Sequence, residues 1–464
     1  MDQRGLQAYL RDRVGDGAVL ATEDIPLRTE TWSSPHPCRA RAVVRPRDVA
    51  ELSAALRACS EARQPVVPYG GGTGLVEGAT ATEREALLTV ERMKDIHEID
   101  VVGRVAVVDA GVTIQAVQEA AAAAGLFFPL DLGARGSATV GGAIATNAGG
   151  NRVLRYGMMR EQLLGIEAVL ADGSMLSSLN RLIKNNAGYD LRQLFVGSEG
   201  TLGIVSRAVL RLREAPQSQN LALLAVPDFA SVTALLKAVD RGLGGMLSAF
   251  EVMWDDFYRL TTRPQGRHEA PLPHGSPFYC LVESMGGDEA RDRDRFEEVL
   301  SGLLERGVIS DATIAGSDNQ IRALWAIRDD VEQILKIGPV FMFDVGLPIA
   351  HMPGYIEALR ASLAARWQAA RCVVWGHVGD SNLHIWLTVG DASPEARAQV
   401  ENLVYQGLSA IGGTVSAEHG IGLEKLGYLR CSRTPPEIDT MRRLKRALDP
   451  GGILNPGRLI PLPD

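Results

Sequence analysis

Residues 133–150 read Gly-Ala-Arg-Gly-Ser-Ala-Thr-Val-Gly-Gly-Ala-Ile-Ala-Thr-Asn-Ala-Gly-Gly, a stretch with almost no bulk. It is too long for one turn. Its bare backbone suits a surface that something flat and large must approach closely. A second run, Gly70-Gly71-Gly72-Thr73-Gly74-Leu75, follows Pro68-Tyr69 and presents successive backbone N–H groups with no side chains to block a phosphate. Taken alone, that run is equally well a tight loop. A third, Gly197-Ser198-Glu199-Gly200-Thr201-Leu202-Gly203-Ile204, repeats the character. Three such runs in one half of the chain favour a large phosphate-bearing cofactor over three unrelated loops. The spacing is not GxGxxG, and no helix start or ribose-binding acid lines up with it, which makes NAD the weaker candidate.

With 464 residues the chain exceeds one core, so two or three domains around a cleft are expected. Apolar residues at 46% and charged residues at 22% are ordinary for a chain that folds nearly throughout. The net charge of −8 provides no basic excess, so nucleic acid is not an expected partner. Cys38, Cys59, Cys280, Cys372 and Cys431 are odd in number, scattered and without a CxxC pair. They suggest neither a disulfide framework nor a thiolate zinc site, and a reducing cytosol fits them best. Asp2, Arg4, Arg11 and Asp12 interrupt any signal-like apolar run, and the longest apolar stretch, 120–130, is shorter than a bilayer span. The expectation is a cytoplasmic protein that touches a membrane at most peripherally.

Periodicity predicts strands at 41–45 and 64–68 around a helix at 47–62, then strands at 97–102 and 104–109 joined at Gly103, and a helix at 113–124. Segment 165–176 turns at Asp172-Gly173, a hairpin dipeptide. Beyond Pro216, strand patterns at 221–226, 248–253, 277–283 and 341–347 alternate with helices at 230–239 and 291–306. These predict an antiparallel sheet with helices on one face, an inserted cap domain. From Ser416 the chain is again punctuated by Gly and Pro, ending in Asp449-Pro-Gly-Gly-Ile-Leu-Asn455-Pro-Gly, and is expected to return to the first domain. The fold class is α+β, with domains at 1–215, 216–415 and 416–464.

The chain has eight histidines, and three of them fall in Gly376-His377-Val-Gly-Asp-Ser-Asn-Leu-His384 and Ala417-Glu418-His419-Gly-Ile-Gly422. On an unbroken strand His377 and His384 would face opposite ways. The turn-forming Gly-Asp-Ser-Asn between them lets the chain fold back and bring both imidazoles to one point. Two imidazoles and a carboxylate leave metal positions open for a substrate. The set therefore favours a metal at His377, His384 and Glu418 over core hydrogen bonding, and assigns proton transfer to His419. Zinc leads on ligand type; manganese and iron suit the same donors.

The glycine runs resemble the FAD-binding domain of the vanillyl-alcohol-oxidase (PCMH-type) superfamily over about residues 38–213. The resemblance implies a diphosphate loop at Gly70–Leu75 and a second cofactor segment over Thr139, Gly141, Gly142, Thr146 and Asn147, with Glu199 and Ile204 in the third run. Thr73 stands in a loop where members with covalent flavin often carry a His, which implies noncovalent FAD. The histidine motifs resemble the D-lactate dehydrogenase, glycolate oxidase and D-2-hydroxyglutarate dehydrogenase branch, now over almost the whole chain. That resemblance implies oxidation of a D-2-hydroxy acid, metal ligation by His377, His384 and Glu418, and His419 as general base. It further implies Arg328 as the clamp on the substrate C1 carboxylate and Asn455 as a flavin contact. From the residues alone, Arg328 reads as a solvated helical arginine and Asn455 as a turn residue. Positions that hold the second carboxylate of 2-hydroxyglutarate in that branch fall here on Glu332, Met342 and Trp386, which implies a monocarboxylate such as D-lactate. D-2-hydroxyglutarate is the alternative substrate, and a noncatalytic flavin- and metal-binding subunit is the alternative of another class. The branch also implies electron transfer to a flavoprotein, cytochrome or quinone; a homodimer is an open expectation.

Overall fold

A computed structural model describes residues 2–27 and 37–461. The chain divides into two compact units, one of Met1–Gly150, Gly157–Ala215 and Glu418–Asp464, the other of Asn151–Tyr156 and Pro216–Ala417.

In the first unit the helix Val49–Glu61 begins where the Asp48 carboxylate accepts the Glu51 N–H at 2.9 Å. Its Leu52, Ala55, Leu56 and Cys59 form one buried stripe at helical spacing. That stripe packs in one core with the parallel sheet ordered Ala42–Val44, Ala86–Thr89, Val66–Tyr69. A second sheet is antiparallel, ordered Ile96–Asp100, Val105–Asp109, Ile204–Arg211, Leu163–Val169, Met175–Ser178. The last two strands close at Asp172-Gly173, with Gly173 at φ 82. The C-terminal segment joins the parallel sheet: Val66 N–H donates to the Ile453 carbonyl at 2.8 Å and Asn455 N–H to the Val66 carbonyl at 2.7 Å.

The second unit is built on a seven-stranded sheet. Its order is Asp311–Ile314, Ser218–Val226, Phe278–Gly286, Leu247–Trp254, Arg371–Gly376, Asn382–Thr388, Phe341–Gly346, with every neighbouring pair antiparallel. Helices cover both faces, not the single face expected from the sequence. Leu221, Leu223 and Ala225 face a core shared with the helices Asp255–Thr261 and Asp318–Asp329. The intervening Ala222, Leu224 and Val226 are buried on the other side, where Phe229–Gly242 and Glu289–Glu305 pack. The strand reads Leu-Ala-Leu-Leu-Ala-Val without polar alternation, as a strand covered on both faces must.

The Asn151–Tyr156 segment is locked into this unit by Arg152, whose Nε and Nη2 donate to the two oxygens of the fully buried Glu283 at 3.0 and 3.2 Å. Ser248, Gln219 and Trp325 donate to the same carboxylate. Burial pushes the Glu283 carboxyl upward in pKa, but Arg152 and these donors hold it below the ordinary carboxylate range.

Candidate active site

In the first unit the glycine runs meet backbone to backbone. A Cβ on Gly70 would lie 2.9 Å from Thr139 Oγ1 and 3.4 Å from Gly142 Cα, and one on Gly71 would lie 1.9 Å from the Ser137 carbonyl. Thr139 Oγ1 accepts the Gly142 N–H, Thr146 Oγ1 donates to the Gly142 carbonyl, and Gly141 lies against Ala110. Among the described residues, the amides of Gly71, Gly72, Thr73 and Gly74 donate to no partner, Gly72 is at φ 67, and nothing lies within 4 Å of a Cβ placed on Gly74. Asn455 bridges the unit with Nδ2, donating to the carbonyls of Gly78 at 3.2 Å and Glu199 at 2.7 Å, while its buried Oδ1 has no hydrogen-bond partner among the described residues. Amides without partners on a side-chain-free loop and an orphaned buried acceptor fit a phosphate-bearing cofactor that carries its own donors.

Other residues of the runs have structural partners. Asn147 sits at φ 49 with Oδ1 accepting the Arg160 N–H, Leu75 is half-buried beside the loop, and Ile204 pairs with Val169 in the sheet. Glu199 turns its carboxylate toward the segment that carries Glu418 and His419, accepting the N–H groups of Ile421 at 2.7 Å and Gly422 at 2.8 Å. Burial raises its pKa against those amides. A Cβ on Gly420 would meet Glu199 Oε1 at 2.4 Å and one on Gly422 the Val76 carbonyl at 1.9 Å, so this loop tolerates no side chain there. His419 itself is left-handed at φ 65, a conformation that surrounding contacts must enforce on a non-glycine residue. Glu418 Oε1 accepts the Gly150 N–H at 3.4 Å.

In the second unit the strand Arg371–Gly376 and the strand Asn382–Thr388 form a hairpin whose turn includes Ser381 at φ 74. The fold-back places the His377 and His384 rings with centroids 5.2 Å apart. Each ring has a carboxylate at Nδ1: Glu251 Oε1 at 2.5 Å from His377, and Asp344 Oδ1 at 3.3 Å from His384. The Glu251 contact is a hydrogen bond that orients the His377 ring as carboxylates orient ligating imidazoles, whereas the Asp344 contact is an ion-pair approach. Asp344 is the register partner of His384, and its carbonyl accepts the Ala417 N–H at 3.2 Å, so the chain leaves this unit at Ala417 with Glu418 as the next residue.

Arg328 is not on a solvated face. It is 8% exposed, donates from Nε to Glu251 Oε2 at 2.9 Å and from Nη2 to His377 Nε2 at 2.9 Å, and lies beside Asp329. Burial pushes the Glu251 carboxyl up, but Arg328 and His377 outweigh it and bring its pKa down to about 2. Met342 and Trp386 are register partners across the sheet, one step along the same face from Asp344 and His384. Trp386 packs edge-on to Trp375 at 5.5 Å, whereas Glu332 is exposed and lies 3.7 Å from Arg267.

Glu251, Asp344 and Glu283 were absent from the candidates read in the sequence. Each is a single carboxylate within an apolar strand, as in Ser-Ala-Phe-Glu-Val-Met-Trp, and a charge in that position must find a partner. That isolation was the available signal. No helix among the described residues is long and apolar enough to cross a membrane.

Residues 40–178 match the FAD binding domain family, and residues 215–459 match the C-terminal domain of FAD linked oxidases. D-2-hydroxyglutarate dehydrogenase of Xanthomonas citri pv. viticola is 39% identical over 436 residues, covering 93% of this chain and 90% of the relative. The mitochondrial D-2-hydroxyglutarate dehydrogenase of Bos taurus is 37% identical over 452 residues, covering 97% and 82%. Among solved structures, substrate-bound p-cresol methylhydroxylase superposes with a TM-score of 0.78 at 17% identity, covering 99% of this chain and 97% of that one. The last likeness is one of fold.

Proposed function

The chain belongs to the FAD-linked oxidase family, in the D-2-hydroxyglutarate and D-lactate dehydrogenase branch of the vanillyl-alcohol-oxidase superfamily, and from that premise we propose that it oxidises a D-2-hydroxy monocarboxylic acid to the 2-oxo acid. The observation that carries the proposal is the buried Arg328 guanidinium beside the His377 imidazole that Glu251 orients, with the His384 ring 5.2 Å from that of His377: a carboxylate receptor next to two candidate metal donors.

The reaction removes the hydroxyl proton and the C2 hydride. The residues with amides and carbonyls suited to hold FAD are Gly70–Leu75, Thr139–Gly142 and Asn455. FAD, when bound, supplies the two-electron acceptor for the C2 hydride. His377, His384 and Glu418 would hold a divalent ion, zinc first and manganese or iron next, which lowers the pKa of a substrate hydroxyl. Arg328 binds the C1 carboxylate through its planar fork and thereby orients C2. A ring nitrogen of His419 accepts the hydroxyl proton as general base. His419→Gln is expected to lower kcat by about 10²–10⁴-fold with FAD content unchanged. The electrons leave to an acceptor for which an electron-transfer flavoprotein, a cytochrome and a quinone are all suitable. Five scattered cysteines without a CxxC pair suit a reducing compartment such as the cytosol, where we place the protein.

Met342 and Trp386 support a monocarboxylate, because a second buried carboxylate would find there a thioether and an indole instead of a cation. The test is anaerobic flavin bleaching across D- and L-2-hydroxy acids. D-lactate or longer apolar D-acids should bleach the flavin fastest. Preference for D-2-hydroxyglutarate would overturn the monocarboxylate reading, and no bleaching by any acid would overturn the proposed activity.

A further inference from the structure

We infer that Glu251 is a positioning residue that one carboxylate serves twice, holding the proposed metal ligand His377 in its ligating tautomer and holding the substrate clamp Arg328 in place. The inference rests on the function proposed above.

The geometry determines the proton positions. A guanidinium only donates, so the 2.9 Å contact from Arg328 Nη2 makes His377 Nε2 an acceptor. Nδ1 therefore carries the ring proton and donates it to Glu251 Oε1 at 2.5 Å. The other oxygen, Oε2, accepts Arg328 Nε–H at 2.9 Å, so each carboxylate oxygen has its own donor. Strand register produces this meeting: Val252 pairs with Gly376, which places Glu251 opposite His377, and the helix Asp318–Asp329 delivers Arg328 from the same side. All three side chains are buried, Glu251 at 1% exposure.

A purely structural ion pair is the competing account. Buried charges of this kind are commonly no more stabilising than apolar side chains of the same volume, and the flanking Phe250, Val252 and Met253 show that this strand packs well with apolar residues. A carboxylate whose strong partners among the described residues are the imidazole and the guanidinium of the proposed site is better explained by orienting them. Glutamine cannot replace it in both tasks. Its amide has one acceptor oxygen, so its NH2 must face either His377 Nδ1–H or Arg328 Nε–H. Relief by moving the His377 proton to Nε2 would remove the lone pair that accepts Arg328 Nη2–H here and that a metal, displacing that contact, would need.

The experiment compares wild type, Glu251→Gln and Glu251→Asp as FAD-loaded full chains. Zinc affinity is measured by chelator competition, and KM for the best acid of the bleaching panel is measured at saturating zinc. Glu251→Gln should keep wild-type FAD content, lose about 10–100-fold in zinc affinity and raise KM more than it lowers kcat. Glu251→Asp, which keeps the charge but withdraws it by one methylene, should show both shifts in smaller measure, and it decides the matter if the Gln variant does not fold. Wild-type zinc affinity or wild-type KM in both variants overturns the dual role. A wild-type protein that takes up no zinc, manganese or iron fails the underlying metal reading and the His377 half with it. That outcome is distinct from a wild type that binds zinc while the variants are unmoved.

Discussion

Met342 and Trp386 stand opposite each other on the sheet face that carries Asp344 and His384, and under the proposed monocarboxylate reading they are the side chains that decide substrate choice. Neither offers a charge to an anion. Met342→Lys combined with Trp386→Asn would put an ammonium and an amide there, and kcat/KM for D-2-hydroxyglutarate relative to D-lactate should rise about 10-fold or more. Steady-state rates with the two acids check it, and an unchanged ratio would show that the distal end of the substrate lies elsewhere. At this scale the histidines were legible because their spacing and the turn between them are local properties of the chain. Arg328 was legible only as a type of residue. Its burial depends on Glu251, which lies 77 positions away.

The C-terminal segment shows what an element contributes beyond its own residues. Arg458, almost wholly buried, donates to both oxygens of Glu85 at 2.7 and 3.2 Å, and Lys445 donates to the carbonyls of Thr201 and Leu454. Burial raises the Glu85 pKa, but Arg458 and the Thr82 amide outweigh it, leaving the carboxyl below its ordinary value. Because the folded pKa is depressed, the pair's contribution is complete above the unfolded value of about 4.3 and is lost as pH falls through the lower folded value. Glu85→Gln leaves a buried guanidinium without its counter-charge and should cost about 3–5 kcal/mol at neutral pH. Urea unfolding from pH 3 to 7 should show that deficit and a flatter acid limb; a deficit below about 1 kcal/mol would mean the pair is solvated in solution. Element boundaries were largely legible, since apolar periodicity and caps such as Asp48 are local. The two-sided cover of the Ser218–Val226 strand was not, because a continuous apolar run says that both faces are buried without saying by what.

The glycine loops belong to one compact unit and the histidine hairpin to the other, and of the three proposed ligands only Glu418 lies in the unit of the glycine loops, so cofactor binding should survive removal of the metal. Dialysis against a chelator should leave flavin absorbance in place while lowering turnover by about 100-fold or more, in line with the several kcal/mol a Lewis acid supplies. Added zinc or manganese should restore the rate. Loss of flavin in step with metal would contradict that separation. What the amino-acid sequence determined by itself is the chemical equipment: side-chain-free runs for a phosphate-bearing cofactor, a His–turn–His hairpin, and Glu418 and His419 in a glycine-bounded loop. These depend on neighbours along the chain, where backbone freedom and turn preference act directly. The tertiary structure alone decided that Glu251 meets His377 across 126 positions, that Glu199 shapes the Glu418–His419 loop, and that Met342 faces Trp386. Those meetings come from strand register and two-sided packing, which summed burial selects and no local pattern encodes.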